Sequence, residues 1–450
     1  MKDRSKRLGE AGIPLLLATF SAPAIAGMLA QAIYNVVDRI FVGRAFGADG
    51  IAGITVCLPF MLVLLACGML IGFGAGALVS IRLGEGRQDQ AEEVLRQAVL
   101  LLAALSLIVA VLGLLFLDPL LRLFGASGRV LPLARDYLQL IVLGTVFQIG
   151  GFGLNAVIRG EGNPQVAMLT LLIGVALNVV LTPVFIFGLG WGIRGAALGT
   201  VLSQAASALW TLCYFTRGHS TLKLRGGSLR LSWPVCAGIL AIGSPPFLMQ
   251  LAASVINSLL NNQLRTHGGD LAISVMGVIY AVAMMVFMPI FGINQGTQPI
   301  VGYNYGAGKL GRVKQTWQAA VLAATAIASV GFVIMVFFPA HVIRLFDPQD
   351  TALLKLGCRA MPLAGAMLPL IGFQIVSAGY FQAVGKPKQA MLLMISRQVL
   401  LLIPAVLLLP QFFGLDGIWL ALPTSDFLAF LVTGLCITHE LRALGSARHG

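Results

Sequence analysis

Twelve stretches of this chain are long enough and apolar enough to cross a lipid bilayer as helices, and no other feature constrains the fold as tightly. They fall at roughly 12–42, 51–80, 95–117, 132–158, 164–188, 195–216, 234–263, 271–304, 315–338, 351–382, 387–410 and 415–438. In hydrocarbon every backbone N–H and C=O needs an internal partner, which leaves helices or closed barrels. Runs of this length are too uniformly apolar for barrel strands. Only 10% of the residues are charged, against the ~25% usual for a soluble domain. So few charges cannot coat this much apolar mass with a wetted surface. The expectation is an all-α integral membrane protein.

The net charge of +13 would, in a soluble chain, suggest nucleic-acid binding. Here Lys and Arg lie mostly in short segments between the apolar runs. Counted from an inside N-terminus, the inside segments hold roughly twice as many as the outside ones. The chain is therefore expected in the cytoplasmic (inner) membrane with both termini cytoplasmic, and no nucleic-acid partner is expected. The basic start (Lys2, Arg4, Lys6, Arg7) resembles an export signal. The apolar run after it continues to Val37 and has a counterpart in the second half, so it is expected to be retained. Cys57, Cys67, Cys213, Cys236, Cys358 and Cys436 lie in or beside apolar runs with no metal-ligand spacing, and read as packing residues.

The chain repeats itself. Displaced by 222 residues, Pro23 meets Pro245, Asn35 meets Asn257, Gly74 meets Gly296, Gly86 meets Gly308 and Gly192 meets Gly414. Displaced by 223, Gly162 and Pro164 meet Gly385 and Pro387. Each half then holds six spans, and an even count gives both halves the same orientation. The expected domains are an N-terminal six-helix lobe (1–216), a basic cytoplasmic connecting loop (217–233) and a C-terminal six-helix lobe (234–450). The "GFGAGA" glycines at 72–77 lie within a span, where they suit close helix packing rather than a nucleotide loop.

Charge inside a span is costly and marks function by default. Among the seventeen acidic residues, Asp38 and Asp426 fall within apolar runs. Gln31, Asn35 and Asp38, spaced by four and three, share one helical face. Pro23 removes a backbone hydrogen bond from the same helix and can bend it. Burial favours the protonated carboxyl, which suits proton exchange; the same carboxylate with amide oxygens nearby could instead hold Na⁺. The bland alternative pairs Asp38 with Arg39. Asp426 is either the partner of Arg397 in a structural ion pair or a second coupling group. Asn257 and Asn261 form the polar face of the seventh span. Asn155, Asn178 and Thr200 are isolated polar residues of the kind that bond neighbouring helices. No HExxH, GxSxG or P-loop is present and all five histidines lie in loops or tails, so no enzyme is expected.

Four segments carry a resemblance. "YNVVDRIFVGRAFGADGIAGI" (34–54), "VIRGEGNPQVAM" (157–168), "LNVVLTPVFIFGLGWGIRGAALGTVLSQ" (177–204) and "GLDGIWLALPTSD" (414–426) resemble the multidrug and toxic compound extrusion (MATE) family, over nearly the whole chain. The resemblance implies twelve helices in two six-helix bundles, and antiport of H⁺ or Na⁺ against organic, often cationic, compounds. It places the first-span carboxylate on Asp38, the bending proline on Pro23, and polar ligands on Asn155, Asn178 and Thr200. Na⁺, if it is the coupling ion, would then be held by Asp38 and Asn178. One position departs: many relatives carry Asp where this chain has Thr182, which offers a hydroxyl and no charge.

The reading is a secondary active multidrug exporter working by alternating access. It would have no cofactor beyond the coupling ion, would handle small organic substrates in membrane lipid, and would act as a monomer. The rivals are a flippase for lipid-linked precursors, which should present cations to a pyrophosphate, and a non-transporting membrane scaffold.

Overall fold

The computed structural model describes residues 7–126, 128–217, 220–224, 231–347 and 349–446, all helical or in short turns; the side chains of residues 35, 36, 39, 48, 49, 254 and 443–446 are also outside the description. Two elements are far too long to be single spans. At ~1.5 Å per residue, α1 (Ile13–Gly84, 72 residues) and α8 (Trp233–Gly306, 74 residues) would each exceed 100 Å, over three times a bilayer's ~30 Å core. Each breaks at one glycine. Gly47 has φ 61° and Gly269 has φ 66°, a left-handed conformation that only glycine adopts without strain. The two glycines are 222 residues apart.

The other spans are α2 (Gln88–Leu115), α4 with α5 (Leu131–Leu143, Thr145–Gly160), α6 (Pro164–Pro183) and α7 (Gly192–Thr216) in the first half. In the second they are α9 (Leu310–Phe337), α11 with α12 (Thr351–Gly365, Leu368–Ala383), α13 with α14 (Pro387–Ile395, Ile403–Phe413) and α15 (Leu415–Ser446). Short helices α3 (Leu117–Leu123) and α10 (Pro339–Phe346) fill the corresponding connections. With α1 and α8 each counted twice, the described residues make twelve spans, as the sequence predicts. The fourth and tenth spans are bent by 53° and 43° at matching places. The repeat-paired glycines Gly86/Gly308, Gly162/Gly385 and Gly192/Gly414 all carry positive φ, so the repeat preserves turns rather than mere composition.

Two compact units divide the chain. One contains Ala26–Phe247 and the other Leu248–Tyr305 with Lys309–Gly450. The start of the first span, Ala11–Ile25, belongs with the second unit, and the start of the seventh belongs with the first. Sequence periodicity carried no sign of this exchange. Both changes of unit come within three residues of the paired prolines Pro23 and Pro245. The core of the first unit is built around Leu64, Ile71, Leu95, Leu138 and Ile141. That of the second is built around Tyr380, Phe381 and Trp419. Small residues let backbones touch. A Cβ on Gly72 would lie 2.7 Å from Gly153 Cα, and Ser80 Oγ donates to the carbonyl of Gly160 at 2.7 Å. The "GFGAGA" stripe is a packing surface. The six cysteines are free thiols.

Candidate functional site

Asp38, on the C-terminal half of the first span, is 7% exposed in the first unit. Tyr34 precedes it by one helical turn and so shares its face. Tyr34 lies near the side chain of Thr200 and within electrostatic reach of Asp38. Tyr137 arrives from α4, 1% exposed, and meets the same two residues.

Behind this trio runs a relay of neutral groups. Asn178 Nδ2 donates to Thr200 Oγ1 at 3.2 Å, and Thr182 Oγ1 donates to Asn178 Oδ1 at 3.1 Å. Thr200 Oγ1 in turn donates to the carbonyl of Ala196 at 3.1 Å. All three side chains are buried. Two local features bring α6 and α7 this close. A Cβ on Gly199 would lie 2.7 Å from Thr182 Oγ1, so the contact needs glycine there. Pro183 cannot donate its backbone nitrogen, and the helix widens directly after it into a π turn at Val184–Gly188. The result is one buried carboxylate beside phenols and hydroxyls. Such oxygens can hold a proton or a hard cation.

The structure unites some of the expected residues and separates others. Asp38, Asn178, Thr182 and Thr200 belong to this one neighbourhood. Asn155 does not join the relay. Its amide donates to the carbonyl of Ala167 at 2.7 Å and its oxygen accepts from Arg159. Gln31 is exposed. Asn35 lies on the same helix, but its side chain is outside the described residues. Pro23 is half-buried in an unbroken helical stretch. In the second unit Arg397 Nε donates to Asp426 Oδ1 at 2.7 Å, and Asn257 and Asn261 are exposed on the seventh span. No group of three or more metal-ligating side chains occurs among the described residues.

Sequence reasoning missed three groups. Tyr34 was readable in principle, four residues before Asp38. Tyr137 carried no signal, since an aromatic in an apolar run looks like packing. The third is Glu161, in the turn between α5 and α6, which reads as an ordinary loop acid but is 2% exposed. It accepts hydrogen bonds from Tyr214, Ser220 and Thr221, tying the segment after the sixth span to this turn. Burial raises the Glu161 carboxyl above its usual range, against the opposing pull of those bonds.

Doubled six-span architecture, apolar spans and a buried mid-span carboxylate together define a multi-pass membrane transporter. Comparison with known proteins gives the family. The MatE family model matches residues 23–184 and again 245–407, once per half and in the register of the internal repeat. The multidrug export protein MepA of Staphylococcus haemolyticus (strain JCSC1435) is 31% identical over 434 residues, 96% of this chain and 95% of that protein. MepA of Staphylococcus aureus (strain N315) is 30% identical, covering 93% and 92%. Among solved structures, a MATE in the bent conformation superposes with a TM-score of 0.93 at 25% identity, covering 99% of both chains. The MATE multidrug transporter DinF-BH superposes at 0.89 with 39% identity, covering 97% and 98%. The chain belongs to the MatE family.

Proposed function

We propose that this protein is a secondary active exporter that exchanges H⁺ or Na⁺ for organic, often cationic, compounds by alternating access. The observation that carries the reading is Asp38, a carboxylate buried within a span among Tyr34, Tyr137 and Thr200. A scaffold has no need of a charge held at such cost in a membrane. The multidrug export named for the MepA relatives, and the multidrug transport named for DinF-BH, support the same reading.

The mechanism follows from competition for one negative charge. An ion on Asp38 neutralises it and favours one state of the first unit; release of the ion restores the charge and favours the other. Ion and substrate are coupled because each stabilises a different state, and the coupling is reciprocal. Thr182, which donates to Asn178, adds no second charge. One monovalent ion is therefore exchanged per cycle at this site. Both termini lie on the cytoplasmic side in this reading, and the transporter works as a monomer.

The test is ethidium flux in reconstituted vesicles under separate Na⁺ and pH gradients. One of the two gradients should drive export in the wild type, and Asp38→Asn should reduce it to the protein-free background. Undiminished flux in a normally folded Asp38→Asn variant removes Asp38 from the mechanism.

A further inference from the structure

The second unit holds a charged site that the exchange at Asp38 does not use. Arg397 is the eleventh residue of the span that begins at Pro387, ~15 Å along the helix and so at hydrocarbon depth. It stands in a π turn, Ser396–Leu402. Pro404, just beyond, cannot donate to the turn before it, which accounts for the widening. Such turns recur at functional sites.

The contacts around Arg397 leave chemistry to spare. Its described bond to Asp426 runs through Nε alone, at 2.7 Å. A guanidinium carries five N–H donors in a planar fork made for carboxylates. The Asp426 side chain is 6% exposed, whereas that of Arg397 is 25% exposed. Ionisable side chains within spans face the bundle interior or a water-filled cavity as a rule. Gln374 flanks the same residue, donating Nε2 to the Asp426 backbone carbonyl at 2.6 Å. Gln374 is 5% exposed, and its Oε1 is buried without a hydrogen-bond partner. That leftover acceptor calls for a donor, such as the ammonium of a zwitterion, while the free guanidinium nitrogens call for a carboxylate. The repeat equivalents differ. Asp426 falls 222 residues after Gln204, and Arg397 falls 223 after Gly174. At these equivalent positions the first unit therefore carries neither charge.

We propose that Arg397, steadied by Asp426 and flanked by Gln374, binds the carboxylate of acidic or zwitterionic aromatic substrates within the second unit. The proposal rests on the export reading and narrows its substrate class. Asp38 serves cations, while Arg397 admits compounds that also carry a carboxylate. Asp426 is a positioning residue here, holding the guanidinium by one nitrogen.

Two dyes differing only at one carboxyl test this: rhodamine 19, the free acid, and its ethyl ester. Binding to the purified full chain is read by fluorescence polarisation, and flux in vesicles. Arg397→Lys keeps a cation opposite Asp426 and so protects folding. The double variant R397M/D426M removes both charges together. Both variants should lose roughly tenfold or more in affinity for the acid, the worth of a charge-assisted hydrogen bond, and stay within about twofold for the ester. Equal loss for both dyes, or no loss for the acid, shows a purely structural ion pair and overturns the proposal. Failure of the wild type to bind the acid overturns it too. If the acid binds through Arg397 but neither dye crosses the vesicle membrane, the binding site stands and the export reading falls.

Discussion

Asp38 and Asp426 are both carboxylates within apolar spans, and the structure surrounds them with opposite chemistry. Asp38 has phenols and hydroxyls about it, and a neutral relay of Thr200, Asn178 and Thr182 behind them. Asp426 has a guanidinium at 2.7 Å. A fixed cation beside a carboxylate competes with any diffusible one. In the proposed reading the site at Asp38 exchanges its ion, while Arg397 holds the Asp426 carboxylate. The same residue type at similar depth is thus read by its company, not by its burial.

The sharpest way to break this comparison is to remove each acid in turn. Asp38→Asn should abolish driven flux while moving thermal stability by little. Asp426→Ala should do the reverse. It leaves Arg397 without its counter-charge within a span, which should appear as a drop in Tm of the solubilised protein. Replacing both partners, as in R397M/D426M, should recover most of that loss. If Asp426→Ala is as stable as wild type and Asp38→Asn is not, the assignment of exchanger and anchor is inverted.

Stoichiometry comes next in size. With one acid in the exchanging site, a singly charged substrate swapped for one monovalent ion moves no net charge. Voltage alone should then drive little ethidium flux, although a moved charge would feel ~2.3 kcal/mol per 100 mV. Thr182→Asp should make flux voltage-sensitive if it loads a second ion. Strong voltage-driven transport by the wild type would reassign a coupling role to Asp426.

Packing offers a smaller contrast. Gly199 meets Thr182 where its repeat counterpart in the second half is Ala421, already a larger residue and fully buried. Gly199→Ala should cost about 1–3 kcal/mol through overpacking and slow flux by spreading α6 from α7, whereas Ala421→Gly should leave flux near normal. Parallel Tm and flux measurements on the two variants decide this; identical behaviour would mean the two units share one packing logic after all.

The smallest effect is a slope rather than a loss. Burial raises the Glu161 carboxyl above its ordinary value of 4.5. The folded state therefore binds more protons than the unfolded state between 4.5 and the raised value. Stability attributable to Glu161 is full below that window, falls as pH rises through it, and is level above. Glu161→Gln should flatten the profile. Hydrogen exchange across 220–224, corrected for intrinsic rate, is the readout, and an unchanged slope in the variant would point to another titrating group.

What the sequence disclosed and what it hid divide along physical lines. Spans were legible because lipid forbids alternatives. The repeat was legible because turns such as those at Gly86 and Gly308 demand glycine, so identity survives at those positions. Asp38 stood out because charge in a span is rare. Asn178 and Thr200 gained a place in the site only through family resemblance, and the same resemblance put forward Asn155, which the structure engages elsewhere with Ala167 and Arg159. Tyr137 was hidden because only the packing of α4 brings it to Thr200. Glu161 was hidden because a glutamate in a turn is usually solvated, and its burial depends on Ser220 and Thr221, some sixty residues away.

Gly47 and Gly269 have a mechanical meaning beyond ending a helix. In each case one residue replaces the loop that normally joins two spans, so the joint has a single pair of torsion angles to work with. Spans one and two behave there as the two arms of a crank, not as beads on a string. Twisting one arm must swing the other, with no slack to absorb the motion. Inserting a few flexible residues after Gly47 would add that slack, leaving both arms intact while disconnecting the drive between them.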